Sequence, residues 1–345
     1  MKRCQSVKKK KTQNEVIRKY GTIKTQEGLY HHHQILYMIG GFEPLRGSKV
    51  AGSRCYYLTD AGVILNQAII NFGMKFLAKK KYKMIQTPFF MNKEIMGEVA
   101  QLEDYDEQLY KLTGDKGAEQ YLIATSEQPL CAYHRHEALE EKQLPLKYSG
   151  YSTCFRKESG SAGKDVRGIF RVHQFEKLEQ FIITAPEKSW DMLEELIETS
   201  EAFYQALGLP YRVVNIVSGE LNNAAAKKYD LEAWFPGNQI NEADYKELVS
   251  CSNCTDYQSR RLGIRIQNTE EGQTGVRHPH MLNSTLTATT RTICCILENY
   301  QHLDEDGKLL GVHVPLPLQP YTDGFLDDKA YIPVIRAQPK HFAQA

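Results

Sequence analysis

Apolar and polar residues follow two different periods along this chain, and the two periods predict different elements. Apolar residues recur every three or four positions in three stretches, 60–78, 189–207 and 288–300. That spacing places an apolar stripe along one face of a helix. Asp60 is expected to cap the first helix, and Gly208 and Pro210 follow the end of the second. The pattern therefore predicts three amphipathic helices.

Extended segments, many with the period-two pattern of half-buried strands, occupy most of the chain between these helices. The predicted strands are residues 35–38, 84–87, 151–158, 168–184, 211–217, 231–235, 247–250 and 280–287. Because these strands do not alternate one to one with helices, a doubly wound parallel sheet is not indicated. The sequence predicts an α+β fold with a mainly antiparallel sheet flanked by helices.

Length and composition narrow the class of protein. The chain has 345 residues, 41% of them hydrophobic and 25% charged, which is typical of globular proteins. We expect a flexible basic leader at 1–13, one large domain at 14–339 and a short tail at 340–345. The eight cysteines are scattered, as in a reduced cytoplasmic protein. No apolar run reaches about 18 residues, so no membrane partner is expected. The net charge of +1 neither implies nor excludes a nucleic-acid partner.

One segment offers a candidate floor for a nucleotide. Two predicted strands join across 159–167, and alternation puts Arg156 and Glu158 on one face of the first. Phe175 and Glu179 share a face of the second, together with Arg171, His173 and Lys177. Arginine binds phosphate in bidentate fashion, a ring stacks on a base, and a carboxylate accepts from an amino group. A surface hairpin with solvated charge pairs is the alternative interpretation.

Three shorter segments also carry candidate residues, each with a plain structural alternative. Thr125, Ser126 and Glu127 form a polar site or a helix cap. Glu247 is a magnesium ligand beside phosphate, or a solvated carboxylate. Arg291 lies in the first turn of a predicted helix, where a cation opposes the helix dipole unless an anion binds nearby. An ordinary surface arginine is the alternative for Arg291.

Cysteine and histidine pairs in the chain suggest metal binding only weakly. Cys251 and Cys254 form a CxxC pair, but a structural zinc site needs four ligands and no second pair exists. No zinc is therefore expected. His31, His32 and His33 run directly into an apolar segment and are interpreted as native sequence rather than a metal site. Walker A, GxGxxG, HExxH and GxSxG sequences are absent, so the common kinase, dinucleotide and hydrolase motifs give no support.

Taken together, the segments resemble the class II aminoacyl-tRNA synthetases, and among them the seryl-tRNA synthetases of the eukaryotic cytosolic kind. FRKESGSAGKDVRGIFRVHQFEKLEQF at 155–181 resembles the family's motif 2, and NSTLTATTRTICCILENYQ at 283–301 resembles its motif 3. The segment ending in TPFFM at 87–91 resembles motif 1, which in this family builds a dimer interface around Pro88. LIATSEQP and ELVSCSNCTDYQSRR are further family stretches.

The resemblance implies a role for each matching residue. Arg156, Arg291 and Glu247 would be the catalytic residues. The ATP site would be formed by Arg156, Lys157, Glu158, Val172, Phe175, Glu247, Leu248, Val249, Ser250 and Arg291. The serine site would be formed by Thr125, Ser126, Glu127, Arg156, Glu179, Asn283 and Thr285. Glu247 and Ser250 would bind Mg²⁺.

The activity implied by the resemblance is serine–tRNA ligation in the cytoplasm. ATP and L-serine would give seryl-adenylate and pyrophosphate, and serine would then pass to the 3′-terminal ribose of tRNA(Ser), with selenocysteine tRNA as a second acceptor. The family usually begins with a long helical arm that grips tRNA, and no such pattern precedes residue 14. We therefore expect a homodimeric catalytic domain that adenylates serine, while the resemblance leaves tRNA charging by this chain open. A synthetase-like binding protein and a synthetase for another small amino acid are the alternatives.

Overall fold

The computed structural model describes residues 14–26, 28–99, 108–114, 117–158, 167–238, 245–267 and 275–338. The leader expected at 1–13 and the tail expected at 340–345 lie outside these residues. A large sheet dominates the described part of the chain. Its strands are Glu15–Tyr20 (β1), Lys83–Gln86 (β4), Leu146–Phe155 (β9), Gln174–Thr184 (β10), Tyr211–Asn215 (β11), Lys227–Trp234 (β12), Tyr245–Asn253 (β13) and His280–Ala288 (β15).

Short strands form smaller sheets around this one. They are Phe42–Glu43 (β2), Tyr57–Leu58 (β3), Phe90–Asn92 (β5), Lys111–Thr113 (β6), Glu119–Leu122 (β7), Ala138–Leu139 (β8), Arg265–Ile266 (β14), Gln301–Leu303 (β16), Leu309–His313 (β17) and Tyr331–Pro333 (β18). The helices are His32–Met38 (α1), Pro44–Ala51 (α2), Asp60–Lys79 (α3), Lys93–Val99 (α4), Glu127–Cys131 (α5), Ser189–Ala206 (α6), Tyr257–Arg261 (α7) and Thr289–Asn299 (α8).

The large sheet is mainly antiparallel, as the sequence predicts. Its strand order is β1-β11-β12-β13-β15-β10-β9-β4, and only the β4–β9 pair is parallel among these strands. The central strands β10 and β15 are buried along nearly their whole length. Strands buried on both faces require a cover of helices. The sheet therefore forms a rigid floor, and its β4 edge is left open to a further strand.

Three helices cover this sheet and complete the core. Helix α3 crosses β10, and Gly73 brings it close, because a Cβ there would lie 2.5 Å from Leu178 Cδ1. Helix α6 packs on β15 and β13, and α8 buries ten of its eleven residues beside α1 and α3. By length and composition α3 is apolar enough to span a membrane, but half of its apolar window is buried inside the protein. The core accounts for that apolarity.

Two predicted elements near the chain's apolar runs are wrong. Residues 35–38 form the end of helix α1 rather than a strand. A capping box starts this helix, with the Gln34 side chain accepting from the His31 backbone N–H 2.9 Å away. The strand predicted at 168–184 begins at Gln174, since Gly168 adopts a left-handed conformation with φ +65° and 168–173 forms turns.

Candidate active site

A polar cleft of about 480 Å³ lies over the face of the large sheet. Motif-like segments distant in sequence meet there because β9, β10, β13 and β15 are neighbours in the sheet. The residues that line it are Gln108, Ala124, Thr125, Glu127, Gln128, Arg156, Glu158, Phe170, Arg171, Val172, Phe175, Lys177, Glu179, Asn222, Lys228, Glu247, Leu248, Ser250, Asn283, Thr285, Ala288, Thr290 and Arg291.

Most of the predicted site residues line this cleft, and three do not. The Ser126 hydroxyl is buried and donates to the Gly150 carbonyl over 3.3 Å. Val249 is fully buried in the core, and Lys157 donates its backbone N–H to the Gln108 carbonyl at 2.9 Å. The structure therefore places these three as neighbours of the cleft that support its walls.

One end of the cleft joins a guanidinium group to an aromatic ring. The Arg156 guanidinium carbon lies 5.2 Å from the centre of the Phe175 ring, and its Nε donates to the Ala124 carbonyl over 3.3 Å. The Arg156 backbone N–H donates to the His173 carbonyl at 2.9 Å. These contacts fix both side chains before any ligand binds, and they leave charge and a ring face at the same end of the cleft.

Glu158 lies at this end of the cleft because of a turn after the strand, and not because of strand alternation. Strand β9 ends at Phe155, and Glu158 adopts a left-handed conformation with φ +50°. Its carboxylate accepts from Arg171 Nη1 at 2.9 Å, and its carbonyl accepts from Arg54 Nη1 at 3.0 Å. The prediction that Glu158 shares a side with Arg156 agrees with the cleft lining, but the regular strand predicted over 156–158 is wrong.

Arg291 closes the upper wall of the same end. Its guanidinium lies 4.8 Å from the centre of the Phe170 ring and donates to the Glu247 carbonyl at 2.9 Å. Burial lowers the pKa of Arg291, Glu247 opposes that shift, and the nearby charges of Arg156 and Arg171 add to it. The positive charges of Arg156, Arg171 and Arg291 repel one another at this end of the cleft, so it favours a polyanion.

The other end of the cleft is a small pocket with two carboxylates, the buried Glu179 and the half-buried Glu127. Glu179 Oε2 lies 2.5 Å from Lys177 Nζ and 3.4 Å from the Thr285 hydroxyl, its cross-strand neighbour. Glu127 accepts from Asn283 Nδ2 at 2.9 Å. Burial, and then repulsion from Glu179, raises the pKa of Glu127 to about 7. This pocket therefore suits a small group that carries an ammonium and a hydroxyl.

Several cleft residues were not predicted as binding residues. Lys177 lies on the strand face that alternation identifies, whereas Arg171 lies in the turns before this strand, so alternation indicated the position of Lys177 but not its role. Phe170, Asn222 and Lys228 carried no sequence signal, because their place in the cleft depends on turns and on the β12–β13 pairing. Charge and aromatic character alone do not distinguish such residues from others on the surface.

Oxygen donors gather beside the arginine-rich end. Glu247 and Ser250 line the cleft, and Asp230 pairs across the sheet with Ser250. Asp230 Oδ1 is 3.2 Å from Lys228 Nζ, yet it makes no hydrogen bond within the described part of the chain. Burial, and then repulsion from Glu247, raises the pKa of Asp230. Among the described residues, no group of three or more His, Cys, Asp or Glu side chains is placed to hold a metal ion.

The two cysteines of the CxxC pair face different surroundings. Cys251 is part of the apolar core beneath the sheet. Cys254 lies beside the polar pocket, where Asn283 Nδ2 approaches its sulfur at 3.6 Å. Burial raises the pKa of both thiols, which keeps them protonated and weakly nucleophilic.

Comparison with known proteins defines the class of this cleft. Residues 110–300 match the family model described as the tRNA synthetase class II core domain (G, H, P, S and T). Six of the eight strands of the large sheet, and all the cleft residues except Gln108, lie within that match, so the chain has a class II tRNA synthetase core. The predicted α+β fold with a mainly antiparallel sheet is thereby confirmed.

Individual relatives narrow the class further. The chain is 61% identical over 331 residues to the cytoplasmic serine–tRNA ligase of Dictyostelium discoideum, covering 96% of this chain and 70% of that protein. The crystal structure of the cytoplasmic serine–tRNA ligase of Naegleria fowleri with AMP is 52% identical, with a TM-score of 0.88, over 95% of this chain and 74% of that one. The ATP complex of Pyrococcus horikoshii seryl-tRNA synthetase is 40% identical, with a TM-score of 0.86 and the same coverages. The chain belongs to the seryl-tRNA synthetase family.

Proposed function

We propose that this chain is a cytoplasmic ligase that joins L-serine to tRNA(Ser), with selenocysteine tRNA as a second acceptor. ATP and serine would first form seryl-adenylate and pyrophosphate, and serine would then pass to the 3′-terminal ribose of the tRNA. The observation that carries the proposal is a single cleft with two chemically different ends. Guanidinium groups and a ring face occupy one end, and carboxylates with a hydroxyl occupy the other.

The arginine-rich end is assigned to ATP. Phe175 would stack under adenine and Glu158 would accept from the adenine amino group, with the Val172 backbone beside them. Arg156 would bind the α-phosphate, and Arg291 would lie over the nucleotide near the γ-phosphate. This assignment rests on the stacked Arg156–Phe175 pair and on the repulsion among the cleft arginines, which a bound polyphosphate would relieve.

Adenylation then requires positioning more than acid–base chemistry. A serine carboxylate oxygen forms a bond to the α-phosphorus in line with the departing pyrophosphate, whose bridging P–O bond breaks. Negative charge moves onto the pyrophosphate during this step, and no proton is transferred. Arg156 and Arg291, which both line the cleft, would stabilise that charge.

The pocket at the other end is assigned to serine. Glu127 would bind the ammonium group, and Glu179 with Thr285 would bind the side-chain hydroxyl. Alanine would leave these buried polar groups without the partner that serine supplies, which a polar site rejects strongly. The pocket walls contributed by Thr125 and Asn283 limit its size, so exclusion of threonine depends on shape.

Serine binding should depend on pH through Glu127, whose pKa of about 7 lies above its ordinary value. Serine keeps its ammonium charge between pH 6 and 8, whereas Glu127 is mainly protonated below 7 and mainly ionised above it. We expect the KM for serine to rise about tenfold from pH 8 to pH 6, following the ionised fraction of Glu127. Steady-state pyrophosphate exchange at several pH values measures this. Glu127→Gln should give a higher KM for serine that does not change with pH. A variant whose KM for serine still rose about tenfold from pH 8 to pH 6 would contradict the assignment.

Mg²⁺ is proposed as a companion of ATP at Glu247 and Ser250. Their carboxylate and hydroxyl oxygens are hard donors that suit this ion beside phosphate. Asp230, whose Oδ1 pairs with Lys228 Nζ at 3.2 Å, lies opposite Ser250 on the neighbouring strand. A bound Mg²⁺ would neutralise phosphate charge.

Glu247→Gln should raise the Mg²⁺ concentration needed for half-maximal exchange. It should also weaken Mn²⁺ binding measured by electron paramagnetic resonance in the presence of ATP. The absence of zinc stays a prediction.

A homodimer is proposed through the motif 1 region. Strand β4 is an open edge of the large sheet, and Met84 on it is 54% exposed. Val63 on α3 and Phe90 on β5 are also exposed apolar residues. An uncovered edge with apolar neighbours favours pairing with another chain. Sedimentation velocity should give a mass near twice 39.5 kDa, and a monomer at micromolar concentration would contradict the proposal.

A non-reactive seryl-adenylate analogue tests the proposed site without turnover. Bound at 100 times its Kd, the seryl-sulfamoyl analogue should stabilise the folded protein by about 2.7 kcal/mol, visible as a higher Tm. The alanyl analogue should give a much smaller shift, because it lacks the hydroxyl. Equal shifts for the two analogues would place serine recognition outside this pocket.

A further inference from the structure

The histidine run at the start of helix α1 lies outside the cleft, and the proposed reaction gives it no role. His32 and His33 are both 7% exposed, so the run is not a solvent-facing metal tract. Buried polar side chains of this kind are retained when they make specific bonds. The contacts of His32 show what those bonds are.

His32 is held between a carboxylate and a backbone carbonyl. Its backbone N–H and its ring Nδ1 lie 3.0 and 2.7 Å from Glu298 Oε1, and the other Glu298 oxygen accepts from the Gly237 N–H at 2.9 Å. The ring Nε2 lies 3.3 Å from the Arg167 carbonyl oxygen. An ionised carboxylate and a carbonyl can only accept, so a ring that bonds to both carries hydrogen on both nitrogens. The geometry therefore favours an imidazolium at His32.

The surrounding charges favour this protonation state. Burial opposes the charge on His32, but Cys294 and Glu298 on α8 outweigh it and raise the pKa of His32 well above its usual value. The imidazolium and two backbone N–H groups lower the pKa of Glu298 despite its burial. The other charged or titratable groups that face the run are His31, His33, Arg167 and Lys246.

The Arg167 carbonyl begins the turn that leads into the nucleotide end of the cleft. Gly168 packs directly on the histidines, because a Cβ there would lie 2.8 Å from His33 Cβ and 3.1 Å from His32 Cδ2. The Phe170 ring follows, with its centre 6.2 Å from that of His32 and 5.5 Å from that of Phe235. Arg291 stacks on the opposite side of this contact, 4.8 Å from the Phe170 centre. A continuous set of contacts thus runs from His32 to Arg291.

We propose that His32, as an imidazolium bonded to both Glu298 and the Arg167 carbonyl, is a positioning residue for the nucleotide site. It ties the N-terminal helix and the motif 3 helix to the turn at 167–170, and thereby fixes Phe170 under Arg291. The inference rests on the proposed ATP-binding function of this end of the cleft. It gives the histidine run a part in ATP binding although none of the histidines that the structure describes lines the cleft.

Two substitutions separate the two bonds of His32. In His32→Asn the amide nitrogen reaches the position of Nδ1 and keeps the bond to Glu298, but it loses the Arg167 carbonyl. In His32→Gln the amide nitrogen reaches the position of Nε2 and keeps the Arg167 bond. We expect the Asn variant to raise the KM for ATP about tenfold, the size expected for one lost positioning bond, with the KM for serine unchanged. The Gln variant should have a nearly normal KM for ATP and a lower Tm.

The controls make a purely structural role distinguishable. His313→Asn changes an exposed histidine on β17 and should alter neither the KM for ATP nor the Tm. If both His32 variants lower Tm and leave the KM for ATP unchanged, His32 supports the fold only and the inference is overturned. Should the Asn variant fail to fold, the spectroscopic measurement decides, because a neutral His32 would overturn the inference.

Nitrogen chemical shifts test the protonation state without any substrate. With ¹⁵N-labelled histidine, His32 is assigned by the signal lost in the Gln variant. Both of its ring nitrogens should remain protonated at pH 7.5, where an exposed imidazole is neutral. Because the folded pKa is raised, the Arg167 bond should persist at low pH and be lost as pH rises through that pKa. A neutral His32 at pH 7.5 would overturn the inference, whereas a wild-type protein without pyrophosphate exchange would refute the proposed function alone.

Discussion

Replacing Arg156 with glutamine is expected to lower kcat/KM for serine-dependent pyrophosphate exchange about 1000-fold, the upper range for removing one preorganised charge-stabilising donor. On the proposed assignment Arg156 binds the α-phosphate, where charge redistributes as the new bond forms. Its contacts with Phe175 and the Ala124 carbonyl fix it before substrate binds, so no other side chain replaces it by a simple rotation. Exchange kinetics at saturating Mg²⁺ measure the change.

The matched control for this substitution is Arg260→Gln. Arg260 is an exposed arginine on α7, paired with Asp256 within the same helical turn and outside the cleft. Exposed pairs of this kind contribute little, so both exchange and Tm should stay at wild-type values. If Arg156→Gln lost less than about tenfold, below the loss expected for a donor in the transition state, the phosphate assignment would be wrong.

The second large effect is expected at Glu179. This carboxylate is 1% exposed and is the ion-pair partner of Lys177, which is 6% exposed. Glu179→Gln leaves the Lys177 ammonium buried without its counter-charge, which should lower the free energy of unfolding by about 3 kcal/mol. Urea unfolding measures this loss. The same change removes the charge that strengthens the bond to the serine hydroxyl and replaces one of the two acceptor oxygens with an NH2 donor, so discrimination between serine and alanine should also fall.

Glu119→Gln is the control for Glu179. Glu119 also pairs with lysines, Lys93 and Lys111, but its carboxylate is exposed at the end of β7. Its removal should leave both unfolding and exchange unchanged. A Glu179 variant as stable as the Glu119 variant would show that the Lys177 charge does not depend on Glu179.

The spacing of apolar residues predicted the elements whose structure depends on neighbouring residues in the sequence. Strand alternation placed Phe175 and Glu179 on one face, and the cleft contains both. Helical spacing predicted helix α6 within one residue, because its apolar stripe, Gly208 and Pro210 agree. Residues 35–38 were mistaken for a strand because a short apolar run has no period that separates helix from strand.

Other parts of the site depend on contacts between distant residues. His32 and Glu298 are 266 positions apart, and neither carries a motif that identifies the other as its partner. Phe170 meets Arg291 only because Gly168 turns the chain after β9 and α8 begins where β15 ends. Sequence resemblance assigned roles to Arg156 and Arg291. The contacts that hold these two side chains in position could be identified only from the structure.

Serine-dependent ATP–pyrophosphate exchange tests the central claim most directly. The 345-residue chain would be assayed with serine, threonine, alanine and glycine at equal concentrations, with folding checked by circular dichroism. Our account predicts rapid exchange with serine and far slower exchange with the other three. A folded protein that exchanges with none of them would instead be a synthetase-like binding protein. Faster exchange with another of these amino acids would contradict the assignment of Glu179 and Thr285 to the serine hydroxyl.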